Sequence, residues 1–212
     1  MSNLISYFIA NKSDIFTALC QHILLTGLAV IIGLAISLCI CIYCVIKDKK
    51  MDGVINFFGF IRLIPGVALL VITMPILGVG FLPALISLCV LTIPSILICT
   101  YSGIKNISSA IIQSAVSLGM NRKEILFRIQ LPITYPFILL GIRTAVVDAT
   151  TIATVASLMG AGGLGRYILT GLAINNLTLT LIGGILITLL AFASEIIFGF
   201  MQKRLEYKYS GG

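Results

Sequence analysis

The chain has 212 residues, of which 59% are hydrophobic and only 10% charged, with a mean hydropathy of +1.15. A soluble domain carries about 25% charged residues, so this composition excludes an ordinary soluble protein and indicates one that sits in a lipid bilayer. The net charge of +7 does not point to nucleic acid, because the basic residues fall between apolar stretches.

Residues 4–21 place Leu4, Ile5, Phe8, Ile15, Phe16 and Leu19 among polar neighbours. This segment is too short and polar to span, and residues 1–22 are expected to form an outer-face interfacial helix or a flexible segment. No basic start followed by an apolar core and a small-residue cleavage site is evident there.

A spanning helix requires about 20 apolar residues, each adding about 1.5 Å toward a hydrocarbon core of about 30 Å. Five stretches meet this requirement: residues 23–46, 56–79, 82–104, 135–159 and 178–201. Pro65 and Pro75 interrupt the second and Pro94 the third, which predicts kinked helices whose freed carbonyls find partners on neighbouring helices. No internal repeat or linker divides residues 23–205, which read as one all-α transmembrane domain followed by a tail at residues 206–212.

The loops set the orientation. Lys47, Lys49 and Lys50 follow the first stretch; Lys105, Arg122, Lys123 and Arg128 follow the third; Lys203, Arg204 and Lys208 follow the fifth. The opposite side holds only Lys12 and Arg166. Positive charge is retained on the cytoplasmic side, so the N-terminus is expected outside and the C-terminus inside.

Six cysteines occur, at positions 20, 39, 41, 44, 89 and 99. Cys41 and Cys44 have CxxC spacing, but no second pair follows and His22 is the chain's one histidine. Small residues packing within membrane helices is the expected role.

Residues 113–132, QSAVSLGMNRKEILFRIQLP, form a polar and basic insert between the third and fourth stretches. Read as helices over 108–118 and 122–130, they place Ile111, Ile112, Ala115 and Leu118 within one face, and Ile125, Leu126 and Ile129 within another. Gly119 permits the turn between them. Asn121 is expected to cap the second helix with Glu124 three residues on, and Pro132 to end it.

The layout Gln113-Ser114-Ala115, three residues, Gly119, then Ile129, Leu131 and Pro132 resembles the cytoplasmic coupling loop of ABC importer permeases, with Gln113 and Ser114 departing from that family's Glu-Ala. Ile64-Pro65 with Val67-Ala68-Leu69, Pro75 to Gly80, Thr100 to Lys105, Gly141 to Thr144, Ala153 to Ser157 and the glycine-rich Gly160 to Gly165 extend the likeness over about residues 20–205. The chain resembles the membrane subunit of the glycine betaine/carnitine/choline osmoprotectant importers. The resemblance implies a type I ABC importer permease of five transmembrane helices, N-terminus outside, with a cytoplasmic coupling-helix hairpin within about residues 105–132.

Several expectations follow from that likeness. Gln113, Ser114, Ala115, Gly119, Met120, Ile129, Leu131 and Pro132 would couple to the ATPase. Gly160, Gly162, Gly163 and Gly165 would form the outer glycine-rich loop. The partners implied are two ABC ATPase subunits, a second permease copy or a similar permease, and an extracytoplasmic substrate-binding protein, in a bacterial cytoplasmic membrane. The chain itself would bind no cofactor; ATP would be used by the partner, since no GxxxxGK[ST] occurs here. A permease for methionine or another small solute is the alternative within the class, and an ATP-independent channel the alternative outside it.

The segment GAGGLG at residues 160–165 also has the letters of a dinucleotide-binding turn. It follows a membrane stretch rather than a strand, so a tight loop is expected. A membrane-embedded enzyme is disfavoured because no nucleophile–base or paired-acid constellation is apparent.

Four ionisable residues fall inside the apolar stretches: Arg62, Arg143, Asp148 and Glu195. Such residues are costly in lipid and mark internal pairing or function. Arg62 and Glu195 lie near cytoplasmic ends and are expected to reach water along their stems. Asp148 is the deepest. It lies about 140° around the helix from Arg143, so it should face another helix or a polar cavity, with Thr150, Thr151 and Thr154 nearby. Asp148, Thr151 and Pro65 are the candidate residues of a translocation path.

Overall fold

A computed structural model describes the backbone of residues 2–47, 49 and 51–209, with side chains over 6–47, 49 and 51–204. Every regular element among the described residues is helical. Helix α1 (Ser2–Ala10) is followed after Asn11 by α2 (Lys12–Ile46), a single helix of 35 residues. At about 1.5 Å per residue it is about 50 Å long, well beyond the hydrocarbon thickness. It passes without interruption through the boundary drawn near residue 22. Ser13, Asp14 and Thr17 lower the hydropathy there but stay exposed, while Ile15 and Ala18 pack with Leu164, Tyr167, Leu179 and Ile182.

The second apolar stretch divides into α3 (Asp52–Arg62) and α4 (Gly66–Leu77), set at 87° to one another. The break coincides with Pro65, whose extended backbone (φ −57°, ψ 131°) lies outside the helical region; a proline also disfavours helix in the residue before it. Pro75 and Pro94 lie inside continuous helices. Helix α3 begins beside the last turn of α5 (Phe81–Lys105): the Tyr101 hydroxyl donates to Asp52 at 2.7 Å and Lys105 lies 3.7 Å from the same carboxylate. Helix α4 ends at Gly78, just before α5 begins. The bent pair therefore connects the two ends of α5.

The chain continues through α6 (Ser109–Ser117), α7 (Arg122–Ile125), a π-helical turn (Leu126–Gln130) and α8 (Leu131–Ala156). A short 3-10 turn (Ser157–Met159), α9 (Gly165–Ala173) and α10 (Leu177–Tyr209) complete it. The basic residue Lys50 and residues 210–212 of the expected tail lie outside the described residues.

Helix α5 is the centre of the bundle, buried continuously from Leu91 to Leu97. Small residues and hydroxyls let its neighbours approach, as expected where hydrophobicity alone cannot drive helix association. A Cβ on Gly33 of α2 would lie 2.3 Å from Thr92 Oγ1. Thr92 donates to the Ala29 carbonyl at 3.1 Å, and Ser37 to the Ile93 carbonyl at 3.0 Å. On the other side Gly141 of α8 lies against the backbone of Ile96. Helix α10, by contrast, leaves Leu181, Ile185, Leu189, Phe192 and Ile196 exposed along one stripe.

Candidate functional site

The hairpin at residues 108–130 is built locally. Ser108 caps α6 by accepting from the Ala110 N–H at 3.3 Å. At its other end Met120 N–H bonds to the Ala115 carbonyl at 3.2 Å, and Gly119 N–H to Val116 at 2.9 Å. That pair is the Schellman closure, which requires a left-handed residue, and Gly119 has φ +80°. Asn121 Oδ1 then accepts from Glu124 N–H at 3.1 Å while Glu124 Oε2 accepts from Asn121 N–H at 2.8 Å. This reciprocal box is the cap expected from the sequence.

Two features differ from expectation. Of the α6 face only Ala115 is buried; Ile112 is half-buried, Ile111 is 43% and Leu118 82% exposed, and Val116 beside them is exposed too. Gln113 and Ser114 are exposed as well, and Met120 is half-buried. The face is presented outward. In the second helix Ile125 and Leu126 are buried and Ile129 half-buried. Pro132 does not end this helix. Leu131 N–H reaches back five residues to the Leu126 carbonyl, and Pro132 falls in the first turn of α8, where the chain stays helical despite its missing N–H. The hairpin thus runs into the spanning helix through the π turn, without a loop.

The candidate path residues lie on and beside α8. Asp148 is partly exposed and accepts a hydrogen bond from Ser95 of α5 at 3.3 Å. Among the described residues it makes no ion pair. Thr151 lies one turn on and is exposed, its hydroxyl bonded to its own helix at Val147. Thr150 is buried on a different face, and Thr154 donates to the Thr150 carbonyl; neither hydroxyl is directed to Asp148. Pro65 stands at the α3–α4 break, and a Cβ on its neighbour Gly66 would meet Ile152 and Leu91. The break is therefore close to the part of α8 that bears Asp148 and Thr151.

At the opposite end of the bundle from the hairpin, the glycine-rich loop folds over α2. Gly160, Gly162 and Gly163 have φ of 72°, 76° and 95°, and a Cβ on Gly165 would lie 2.0 Å from the Thr154 carbonyl. Gln21 accepts from the Gly163 N–H at 3.1 Å, and Ser157 donates to the Gly162 carbonyl at 2.7 Å. His22 is fully buried beneath this loop, with Nε2 3.2 Å from the Thr150 carbonyl.

Sequence reasoning missed two contacts. Arg143 of α8 pairs with Glu195 of α10 and also donates to Gln202 at 3.2 Å. Glu195 therefore does not reach water alone. The signal was two opposite charges on separate membrane stretches with no partner in their own helix. His22 shares with Ala18, Thr26 and Ala29 the face of α2 that the structure buries, and its helical spacing from them is the sequence signal of that shared face. Cys41 and Cys44 pack with Met51 and Leu97, and no group of three metal-ligating side chains occurs among the described residues.

The chain is 32% identical to the carnitine transport permease protein OpuCB of Listeria monocytogenes, over 98% of this chain and 95% of that one. It is 27% identical to the glycine betaine/carnitine/choline transport system permease protein OpuCB of Bacillus subtilis, over 98% and 96% of the two chains. In fold it is similar to a chain of the inward-facing MetNI methionine ABC transporter, with a TM-score of 0.78, 19% identity, and 92% and 98% of the two chains covered. Residues 45–207 match the family described as the binding-protein-dependent transport system inner membrane component. The all-helical bundle, with its exposed, capped hairpin leading into α8, has the fold of such a component, and this chain belongs to that family of non-catalytic ABC importer permease subunits, whose ATPase is a separate chain.

Proposed function

We propose that this chain is the permease of an importer for small osmoprotectants bearing a quaternary ammonium group, of the glycine betaine, carnitine and choline kind. The observation that carries the reading is the hairpin. Its apolar face is exposed, and it is continuous with α8, the helix that bears Asp148. A partner docked on that face would move α8 directly. The relatives named for carnitine, choline and glycine betaine transport cover almost the whole chain at 27–32% identity. The methionine transporter is matched at 19% identity, which supports the fold and leaves the osmoprotectant reading favoured over the methionine one.

In this proposal the chain crosses a bacterial cytoplasmic membrane five times, the bent α3–α4 pair counting as one crossing. The N-terminus is outside and the C-terminus inside. Two permeases pair, as copies or as similar chains, because the residues of one bundle enclose little space. Two ATPase subunits dock on Gln113, Ser114, Gly119, Met120 and the surrounding apolar face, and bind the ATP that this chain does not. A binding protein delivers cargo to the outer end near Gly160, Gly162, Gly163 and Gly165. Cargo then passes along Pro65, Asp148 and Thr151 as ATP-driven closure exchanges outward for inward access.

The test is reconstitution of the permease with its ATPase and binding protein in vesicles, followed by uptake of labelled choline, carnitine, glycine betaine and methionine. ATP-dependent uptake of one or more of the first three, without methionine, is expected. Uptake of methionine alone would overturn the substrate assignment, and solute flux without ATPase would overturn the class.

A further inference from the structure

Asp148 lies inside its helix, 8 residues before its last residue, Ala156. It is 17 residues into α8, about 25 Å from the first residue at the rise of a helix. Its partner Ser95 is 14 residues from the start of α5 and 10 from its end. A carboxylate at that depth is costly unless it meets a cation, a hydrogen-bonding partner or a water-filled space. Ser95 contributes one hydrogen bond, to Oδ2. No ion pair to Asp148 occurs among the described residues, and its side chain is not sealed in the core.

The exposed surface around it is more polar than that of α10. Thr144, Asp148 and Thr151 succeed one another at helical spacing, so that face of α8 carries two hydroxyls and a carboxylate. The α10 surface, with its Leu, Ile and Phe stripe, has the composition that lipid requires. The non-helical residues Leu63 to Pro65 lie near the same level, since Gly66 abuts Ile152, one turn beyond Asp148. Backbone released from helical bonding is tolerated within a bilayer only against protein or a water-filled cavity, and interrupted helices flank the cargo sites of many transporters. Two independent features, a carboxylate with no ion pair among the described residues and a broken helix, therefore converge on one place.

A trimethylammonium group has no N–H to donate. It is held by opposite charge and by soft surfaces such as aromatic faces. We infer that the carboxylate of Asp148, steadied by Ser95, is the point inside the membrane where this permease recognises the quaternary ammonium group of its cargo. The inference rests on the osmoprotectant reading proposed above. It assigns part of the selectivity to the permease itself, in addition to whatever the binding protein supplies.

The experiment uses the assembled importer in vesicles, with labelled choline and saturating loaded binding protein, comparing wild type with Asp148→Asn and Asp148→Glu. Maximal uptake per assembled complex should fall about tenfold or more in Asp148→Asn, the scale of losing one charge–charge attraction in a partly desolvated site. Asp148→Glu, which keeps the charge, should retain most of the uptake. The binding-protein concentration giving half-maximal uptake should be unchanged in both, because docking is at the outer face. A purely structural carboxylate gives a different pattern: lower yield or melting temperature with unchanged uptake per complex in Asp148→Asn, or equal loss per complex in both variants. Any of these overturns the inference. A wild-type complex that moves no quaternary ammonium solute faults the proposed function instead, so the two failures are distinguishable.

Discussion

Gly119 sits at φ +80° between two helices whose ends are closed by named hydrogen bonds: Met120 to Ala115 on one side, Asn121 with Glu124 on the other. No atom obstructs a Cβ there, so the constraint on this residue is conformational. A left-handed residue with a side chain costs about 1–2 kcal/mol, and a β-branched one more. Gly119→Val should therefore reshape the hairpin while leaving the bundle, which packs elsewhere, inserted and folded. The expected outcome is normal membrane yield with loss of ATPase docking or of ATP-driven uptake; normal uptake would remove the hairpin from the mechanism. The residues of this turn were legible because turn and cap chemistry is local: a glycine, an asparagine and a glutamate at fixed spacing suffice. The exposure of Ile111, Val116 and Leu118 was not legible, because periodicity identifies an apolar face without saying what covers it. Asp148 was legible as deep and unpaired within its helix, but Ser95 lies 53 residues away in sequence and only tertiary packing brings it near.

At the scale of elements, the apolar stretches located all the long helices because hydropathy reports burial in lipid directly. Their ends were less readable. Helix α2 extends to Lys12 because helical hydrogen bonding continues through polar residues so long as alternate turns, here Ile15 and Ala18, find apolar partners. Hydropathy alone marks the second stretch as one kinked span. Its 87° break reflects Pro65 together with the packing of Gly66 on Ile152, and the latter has no local signature. The link between α8 and α10 is the clearest case of a contact that sequence leaves open. Arg143 and Glu195 pair across the two helices with side chains still 32% and 41% exposed. Glu195→Gln should strand part of the Arg143 charge and lower stability by about 1 kcal/mol or less, well short of a fully buried pair, because both groups remain accessible. The measurement is the melting temperature of the purified permease. The double substitution Arg143→Met with Glu195→Leu should recover most of the loss. A double variant no more stable than Glu195→Gln alone would show that the pair does not tie α8 to α10. At the α2–α5 contact, Gly33→Leu should destabilise more, by about 1–3 kcal/mol from overpacking, since Thr92 already occupies the space.

For the whole molecule, the two ends of the bundle carry different chemistry. One end gathers Asp52, Tyr101 and Lys105, with Lys49 lying over the Tyr43 ring. The hairpin with Arg122, Lys123 and Arg128 follows α5 at this end. The other end gathers Gln21, His22 and the glycine-rich loop, with Arg166 donating to the Asp14 carbonyl at 3.0 Å and stacking on Tyr167. Basic residues crowd the first end and are sparse at the second, the asymmetry that keeps a loop in the cytoplasm. In the proposed importer the hairpin meets a cytoplasmic ATPase and the glycine-rich loop an external binding protein, which requires the same polarity as the charge asymmetry. Cysteines introduced singly at Lys49, Arg122 and Arg166 in a cysteine-free background test it. An impermeant thiol reagent added to intact cells should label position 166 and leave 49 and 122 unlabelled until the membrane is opened. Labelling of position 122 from outside would invert the bundle, place the hairpin beyond the reach of any ATPase, and overturn the transport mechanism along with the topology.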